Sequence, residues 1–484
     1  MIINLNPVCR VIGALMGFIG IMFLVCLAMS IGLGDNQWLS FLSSAIVVFS
    51  LGGMLYIRGY GKANQISKRE GYLIVLLGWL SVSLVSTLPY WISGSISAYH
   101  DCFFESMSGF TTTGATILPD IESLAPSILF WRSLTQWIGG MGIIVLTVAL
   151  FPLLGIAGIE LFVAEAPGPT SDKIHPRIKD TARTLWFLYL GLTGLLFAIL
   201  WAEGMAWFDA LNHALTTMAT GGFSTKNDSI AHFTSPAIQY TILLFMLLAG
   251  TNYTVIYMAI TGKFKKVFMN EEWRMYMIIL LLAIVISTPV LYQSQDYGLE
   301  ESFRHVAFST VSLVTTTGYV SVDYMSWNNG LSIIFFLLLF TGACAGSTSG
   351  GIKLIRHLVF MRNTILEFKR VLHPRAVIRL KVNRQLVAPR IMTHILVFLL
   401  VYLFLFVMGV VTLSALGLDF ETAIGASATS IGNVGPGIGS VGPVDNWAHL
   451  PAAAKWVLTF LMMCGRLELF TVLVLFFPYF WKDN

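Results

Sequence analysis

Four short polar stretches interrupt an otherwise apolar chain: Thr111–Gly114 (TTTG), Thr220–Gly222 (TGG), Thr315–Gly318 (TTTG) and Asn433–Gly435 (NVG). Threonine and glycine are weak helix formers and commonly mark loops. The four glycines, Gly114, Gly222, Gly318 and Gly435, lie 108, 96 and 117 residues apart. Each is preceded by a half-length apolar segment that begins with an acid, Asp101, Asp209, Glu301 or Asp419, 13 to 17 residues earlier. An acid there suits a helix N-terminus. Such a segment is too short to cross a bilayer, which takes about 20 residues. The pattern predicts a re-entrant half-helix that ends in a glycine loop, four times over.

The chemistry open to such loops is cation coordination. Irregular backbone at membrane depth survives only where protein or a water-filled path satisfies its carbonyls. Four loops meeting on one axis can turn carbonyl oxygens inward to replace an ion's hydration shell. Glycine permits backbone conformations closed to residues with a β-carbon, and threonine hydroxyls add further oxygen ligands. The half-helices end at the loops, so their negative dipole ends favour a cation. None of the four stretches carries Lys or Arg, which argues against an anion.

The elements that must hold these loops are membrane helices. The chain has 484 residues, of which 56% are hydrophobic and 11% charged; a soluble domain averages about 25% charged. Mean hydropathy is +0.77. Ten apolar segments are long enough to span, near residues 11–33, 38–57, 72–93, 128–152, 185–206, 236–262, 276–294, 330–352, 392–416 and 453–480. The excess of Lys and Arg places loops 58–71, 153–184, 263–275 and 353–391 and both termini in the cytoplasm. Loop 353–390 alone holds ten basic residues and one acid, Glu367. The glycine loops then lie on the outer side, among acids that concentrate cations.

The predicted fold is an all-α polytopic membrane protein: two leading helices (1–70) and four repeats of span, re-entrant pore helix and span (71–184, 185–275, 276–391 and 392–484), giving one pseudo-fourfold pore. A net charge of +4 does not indicate a nucleic-acid partner. The nine histidines are scattered, no HExxH or GxSxG occurs, and the five cysteines form no CxxC pair, so an enzyme is not expected. A cation-coupled secondary transporter is the nearer alternative. Its helices break in symmetric pairs within inverted repeats. Here all four repeats share one orientation, and only the third repeat's second helix is expected to break strongly, which favours a channel-like pore.

Five further stretches carry a family resemblance: Gln136–Leu146 (QWIGGMGIIVL), Glu165–Pro169 (EAPGP), Gly342–Lys353 (GACAGSTSGGIK), His373–Val377 (HPRAV) and Gly465–Thr471 (GRLELFT). With the glycine loops, they make the chain similar to the TrkH/TrkG potassium-uptake subunits of the Trk/Ktr/HKT superfamily. The resemblance implies K⁺ uptake across a bacterial inner membrane by a homodimer, with Rb⁺ and Na⁺ as further candidate ions and no cofactor on this chain. It implies K⁺ coordination by Thr112, Thr113, Gly114, Thr220, Gly221, Gly222, Thr316, Thr317, Gly318, Asn433, Val434 and Gly435. It also implies a cytosolic TrkA-type ring that binds nucleotides and controls a gate. The fourth loop, with Asn433 and Val434, departs from the TTG pattern, so an asymmetric pore is expected.

Gly342, Gly346, Gly350 and Gly351, with Ser347, Thr348 and Ser349, cannot make a good continuous helix. The resemblance makes this stretch an intramembrane gate beneath the filter, comprising Gly346, Ser347, Thr348, Gly350, Gly351, Lys353 and Arg466. Close helix packing through Gly342 and Gly346 is the alternative. Arg466 lies inside the last span, where a charge is costly. It is either an electrostatic barrier in the ion path or a structural partner of a carboxylate or of loop carbonyls. Lys353 is either part of the gate or an ordinary basic anchor at the inner face.

Overall fold

The computed structural model describes residues 3–61, 66–154, 178–376 and 378–482. The Glu165–Pro169 motif, Val377 and residues 155–177 of the loop expected at 153–184 lie outside the described residues. Two leading helices, Leu5–Leu33 and Trp38–Arg58, pack along each other. Four units follow. Each has a long helix, a short helix, a glycine loop and a second helix.

The long helices that open the units are Lys68–Val85, Ile178–Ala202, Glu271–Ser294 and Pro389–Ala415. The short ones are Tyr99–Phe110, Trp207–Met218, Leu299–Val314 and Phe420–Gly432. Acids stand in their first turns: Asp101, Asp209, Glu300 with Glu301, and Glu421. Asp419 caps the fourth by accepting from the Thr422 amide at 3.0 Å. The expected unit boundaries at 70/71, 184/185, 275/276 and 391/392 all fall just inside opening helices. Hydropathy finds only the apolar part of a helix, whereas the first turns here are polar. Ser67 and Glu70 form a capping box, Asn270 accepts from the Trp273 amide at 2.9 Å, and Pro389 stands at the start of its helix.

The second helices differ most from expectation. Not one but all four are interrupted. In the first, Pro126–Leu154, Gly142 has φ +72° and ψ 152°. In the second, Pro236–Ala249 and Tyr253–Ile260 meet at a 108° bend. The third is helical only over Asn329–Leu338 and resumes at Leu354–Leu372, inside what was expected to be a cytoplasmic loop. The fourth, Ala452–Arg466, bends by 112° into the next turn, through Glu468 and Leu469 at positive φ. Six described helices are long and apolar enough to cross a membrane, or eight if each bent pair is one span. One feature departs from an all-α fold. Lys381–Val382 pairs antiparallel with Gln385–Leu386, across Asn383 and Arg384, both at positive φ, as a tight hairpin turn requires.

The interior combines a large apolar core with many buried polar side chains, and the outer surface is strongly apolar. The short helices are buried almost throughout, including Glu105, Asn212, His213 and Thr310. The opening helices expose large apolar side chains, such as Leu281, Leu282 and Val285 on one and Leu400, Phe404 and Val411 on another. Extensive apolar exposure of this kind marks a surface that faces lipid or a partner rather than water.

Candidate functional site

The four loops share one backbone. Thr112, Thr220, Thr316 and Asn433 have φ of +52°, +52°, +57° and +52°, and Gly114, Gly222, Gly318 and Gly435 have +83°, +79°, +78° and +99°. Between them, the amides of Thr113, Gly221, Thr317 and Val434 donate to the carbonyls of Ser108, Thr216, Ser312 and Thr429, five residues back, at 2.9 to 3.0 Å. This is the Schellman closure of a helix C-terminus, whose left-handed position is normally glycine or asparagine. Threonine there is an outlier, at a cost of about 1–3 kcal/mol. Three such threonines persist where something other than backbone preference selects the side chain. Asn433 suits the position better, so the fourth loop departs from the others in side chain but not in backbone.

The loops close into a ring. A β-carbon added at Gly114 would lie 2.2 Å from the carbonyl oxygen of Gly221 in the second loop. One at Gly222 would lie 2.0 Å from that of Thr317, one at Gly318 would lie 2.0 Å from that of Val434, and one at Gly435 would lie 2.7 Å from that of Thr113. Each glycine thus faces the carbonyl of the middle residue in the next loop, and the fourth returns to the first. A side chain at any of the four would strike backbone. All twelve residues expected to coordinate the ion are therefore together in one ring.

Side chains tie this ring differently in each loop. The hydroxyls of Thr113 and Thr317 pair with those of Thr111 and Thr315 at 2.8 and 2.7 Å. In the second loop Gly221 takes the middle position because Gln136 fills the space. A β-carbon at Gly221 would lie 2.4 Å from the Gln136 Cδ. Gln136 Nε2 donates to the Gly221 carbonyl at 2.6 Å, and its Oε1 accepts from the Phe223 amide at 3.0 Å. Asn433 Nδ2 donates to Thr113 Oγ1 at 3.0 Å and to the Met462 carbonyl at 2.9 Å. Thr112 Oγ1 and Asn433 Oδ1 are buried with no hydrogen-bond partner among the described residues.

The glycine-rich stretch of the third unit touches the ring directly. The Gly350 amide donates to Thr316 Oγ1 at 2.7 Å. Thr220 Oγ1 donates to Thr348 Oγ1 at 3.3 Å, and Thr348 Oγ1 also reaches the Met218 carbonyl at 3.1 Å. A β-carbon at Gly350 would lie 2.7 Å from the Gly432 carbonyl. The stretch is a loop, so close helix packing through Gly342 and Gly346 does not occur. Its neck is pinched by Gly342 N to the Ile352 carbonyl at 2.9 Å and Leu354 N to the Ala343 carbonyl at 3.0 Å. The Gly346 carbonyl accepts from the Tyr253 amide at 3.1 Å, while Ser347 stays local, donating to the Cys344 carbonyl at 2.6 Å. Gly351 turns the backbone at φ +65°.

Charged side chains fix the loop from several directions. Lys353 is buried, and its Nζ donates to Ser349 Oγ at 3.1 Å and to the Ser349 carbonyl, so it is not a solvent-facing anchor. Arg466 donates to the Thr348 carbonyl at 2.8 Å, to the Gly140 carbonyl at 3.1 Å and to the Gly139 carbonyl. It therefore joins the loop to the first unit's second helix through carbonyls, and Glu468 pairs instead with Arg356 at 2.5 Å. Two positions carry roles that the sequence did not reveal. Gln136 lay unread inside a quoted motif. Glu272 is a buried acid whose Oε1 accepts from the Ala345 amide at 2.6 Å and the Ile355 amide at 3.1 Å, one on each side of the loop. Its signal was an acid at the edge of an apolar span.

The electrostatics suit a cation. Four helix C-termini converge on the ring, each with a partial negative charge. At the start of the fourth short helix, the Thr422 amide holds the Asp419 carboxyl below its ordinary value, so that acid is ionised at neutral pH.

Residues 39–482 match the family profile described as TrkH, a cation transport protein. The chain is 39% identical over 453 residues, 93% of each chain, to the Trk system potassium uptake protein TrkH of Salmonella typhimurium. It is 34% identical over 447 residues, 92% of each chain, to the Trk system potassium uptake protein TrkG of Escherichia coli K12. Among solved structures, the crystal structure of the potassium transporter TrkH from Vibrio parahaemolyticus is similar, with a TM-score of 0.88 and 34% identity, covering 99% of this chain and 100% of that one.

Proposed function

The chain belongs to the TrkH cation transport protein family, and on that premise we propose that it takes up K⁺ across a bacterial inner membrane through the ring of four loops. The family is one of membrane transport, not of enzymes. The carrying observation is the cyclic contact of each loop glycine with the next loop's carbonyl. Such a ring keeps carbonyl oxygens at fixed spacing, and a filter needs that to replace a hydration shell. The ligands are the carbonyls and hydroxyls of Thr112–Gly114, Thr220–Gly222, Thr316–Gly318 and Asn433–Gly435, with K⁺ as bound and transported ion, and Rb⁺ and Na⁺ as competitors. The buried, unpartnered Thr112 Oγ1 and Asn433 Oδ1 support coordination at the ring's inner end.

In this reading the 342–353 loop is the gate, because it takes ring hydroxyls as its own partners. Arg466 holds it shut and adds positive charge beneath the filter. The protein works as a homodimer with N- and C-termini in the cytoplasm. A TrkA-type nucleotide-binding ring docks on the cytosolic face, where the basic helix Leu354–Leu372 and the hairpin after it lie. The breaks in all four second helices also favour a second reading, K⁺ uptake coupled to H⁺ or Na⁺, since discontinuous helices are common in coupled transporters.

The deciding experiment is flux of Rb⁺ and Na⁺ into proteoliposomes for the wild type, Gly114→Ser and Gly318→Ser. Both substitutions should raise Na⁺ flux relative to Rb⁺. If neither changes ion preference, the filter assignment is wrong. Flux that requires an imposed H⁺ or Na⁺ gradient would select the coupled reading.

A further inference from the structure

One pair of charges is sealed inside the protein beside the ring. Glu105, on the first short helix, and Arg132, on the first unit's second helix, are 0% and 1% exposed, and Arg132 Nε donates to Glu105 Oε1 at 2.8 Å. The rest of the contacts go to the loops' outward limbs. Glu105 accepts from Thr116 Oγ1 at 3.0 Å and from the Ile117 amide at 3.0 Å. Arg132 donates to Thr116 Oγ1 and to the Ser224 carbonyl, each at 3.2 Å, and its guanidinium lies 4.1 Å over the Phe223 ring. Thr116 and Ile117 follow Gly114; Phe223 and Ser224 follow Gly222. The pair therefore spans the junction where Gly114 meets the Gly221 carbonyl.

The other junctions are closed differently. Between the second and third loops, the Tyr319 hydroxyl meets Thr216 Oγ1 at 2.5 Å. Between the third and fourth, the Tyr324 hydroxyl donates to the Gly437 carbonyl at 3.3 Å. Between the fourth and first, the Trp447 amide donates to the Thr116 carbonyl at 2.8 Å, and Lys455 pairs with an Asp101 that is still 21% exposed. Among the described residues, only the first junction is held by two charges both sealed from solvent.

Burying two charges costs desolvation that their attraction does not reliably offset, and apolar replacements are often as stable or more so. Intramembrane charges are functional by default. What such a pair supplies is directional, charge-assisted bonds of fixed length. We propose that Arg132 and Glu105 are positioning residues that set the distance between the first and second loops, and through it the ion discrimination of the ring. This rests on the filter reading above.

The test is the Na⁺/Rb⁺ flux ratio in proteoliposomes, with size-exclusion behaviour in detergent as the check on assembly. Glu105→Gln removes the negative charge. The double variant Glu105→Gln with Arg132→Met removes both, and so leaves no unpaired buried charge. Arg132→Lys keeps the charge but loses the forked contacts to Thr116 and Ser224. All three should raise the ratio by about fivefold or more, the lower end of typical site-to-site coupling. Arg304→Met is the control. It removes a buried arginine that donates to Gln239 at 2.6 Å, away from the loop limbs, and should leave the ratio unchanged. An unchanged ratio in an assembled double variant or in Arg132→Lys overturns the positioning role. If Gly114→Ser still shifts the ratio, the filter reading survives that result; if it does not, both fall.

Discussion

Replacing Gly222 by alanine tests the ring at one of its two tightest contacts. The added β-carbon would sit 2.0 Å from the Thr317 carbonyl oxygen and 3.2 Å from the Gly318 carbonyl carbon. To restore the 3.0 Å that real β-carbons keep, the third loop must retreat by about 1 Å. At Gly435 the corresponding contact is 2.7 Å, so alanine there needs only about 0.3 Å. Both glycines have positive φ, +79° and +99°, so each alanine also carries a backbone cost of about 1–2 kcal/mol. That common cost lowers stability in both variants, and the carbonyl displacement separates them. A hydrogen bond to a charged group, the nearest measured analogue of a carbonyl–ion contact, is worth about 1.5–3 kcal/mol, or roughly 10–150-fold in relative affinity. Gly222→Ala should therefore lower Rb⁺ over Na⁺ preference by about tenfold or more, and Gly435→Ala by only a few-fold. The assay is paired Rb⁺ and Na⁺ uptake into proteoliposomes, normalised to assembled protein. An assembled Gly222→Ala with wild-type preference, or a larger effect at Gly435 than at Gly222, would refute the reasoning.

Three more outcomes are expected. Glu272→Ala leaves the buried Ile355 amide without its acceptor, at about 1–3 kcal/mol, and frees the half-buried Ala345 amide as well; resting Rb⁺ leak should rise, and a tight pore would contradict this bracing of the loop by Glu272. Arg466→Ala removes the donors to Thr348, Gly139 and Gly140 and should raise cation flux; loss of assembly with no rise would make Arg466 structural only. The Asn227 side chain, donating at 3.1 Å, holds the Asp120 carboxyl below its ordinary value. A lowered folded value gives stability that is present above the unfolded carboxylate range and lost as pH falls through the folded value. Asp120→Asn should therefore lower Tm more at about pH 6 than at about pH 3; equal shifts in a thermal melt would remove Asp120 from the account.

The repeat was legible because its residues contrast with their surroundings. Threonine, glycine and a leading acid stand out in apolar sequence, and their spacing recurs. What those residues touch was not legible, since the ring pairs positions 107, 95 and 116 residues apart at three junctions and 322 apart, Gly435 with Thr113, at the one that closes it. Asn433 shows the limit in one residue. As a letter it breaks the pattern, yet its φ of +52° equals that of Thr112 and Thr220, because asparagine tolerates the left-handed region. The helix breaks were missed for a related reason. Gly250 is a lone glycine, which helices tolerate, and the fourth break runs through Glu468 and Leu469, residues with no breaking signature; the first break had a stronger signal, Gly139, Gly140 and Gly142 together, but it sits within an apolar run of spanning length. Gln136 and Glu272 were hidden because a side chain that satisfies another segment's backbone leaves no periodic trace in its own.

Four broken second helices remove one argument for a channel, that only the third is broken. What distinguishes the third is the segment left behind. The second and fourth breaks turn the chain aside by 108° and 112°, whereas the third leaves a loop whose Thr348 and Gly350 bond to Thr220 and Thr316 of the ring. In the gate reading, blockage would be concentrated in one unit rather than shared among four. Releasing those two bonds costs about 0.5–1.5 kcal/mol each, and freeing the Thr348 carbonyl from Arg466 adds about 1.5–3 kcal/mol. The total is about 2.5–6 kcal/mol, comparable to the roughly 5.5 kcal/mol that moves a two-state equilibrium from 1:99 to 99:1. A regulatory partner with that much preference for the released loop would open the pore without rearranging the other three units. Alternating access would instead require concerted motion of units that the ring ties together at every junction. An uptake rate that rises when the loop bonds are removed, with ion preference unchanged, is the outcome that a local gate demands.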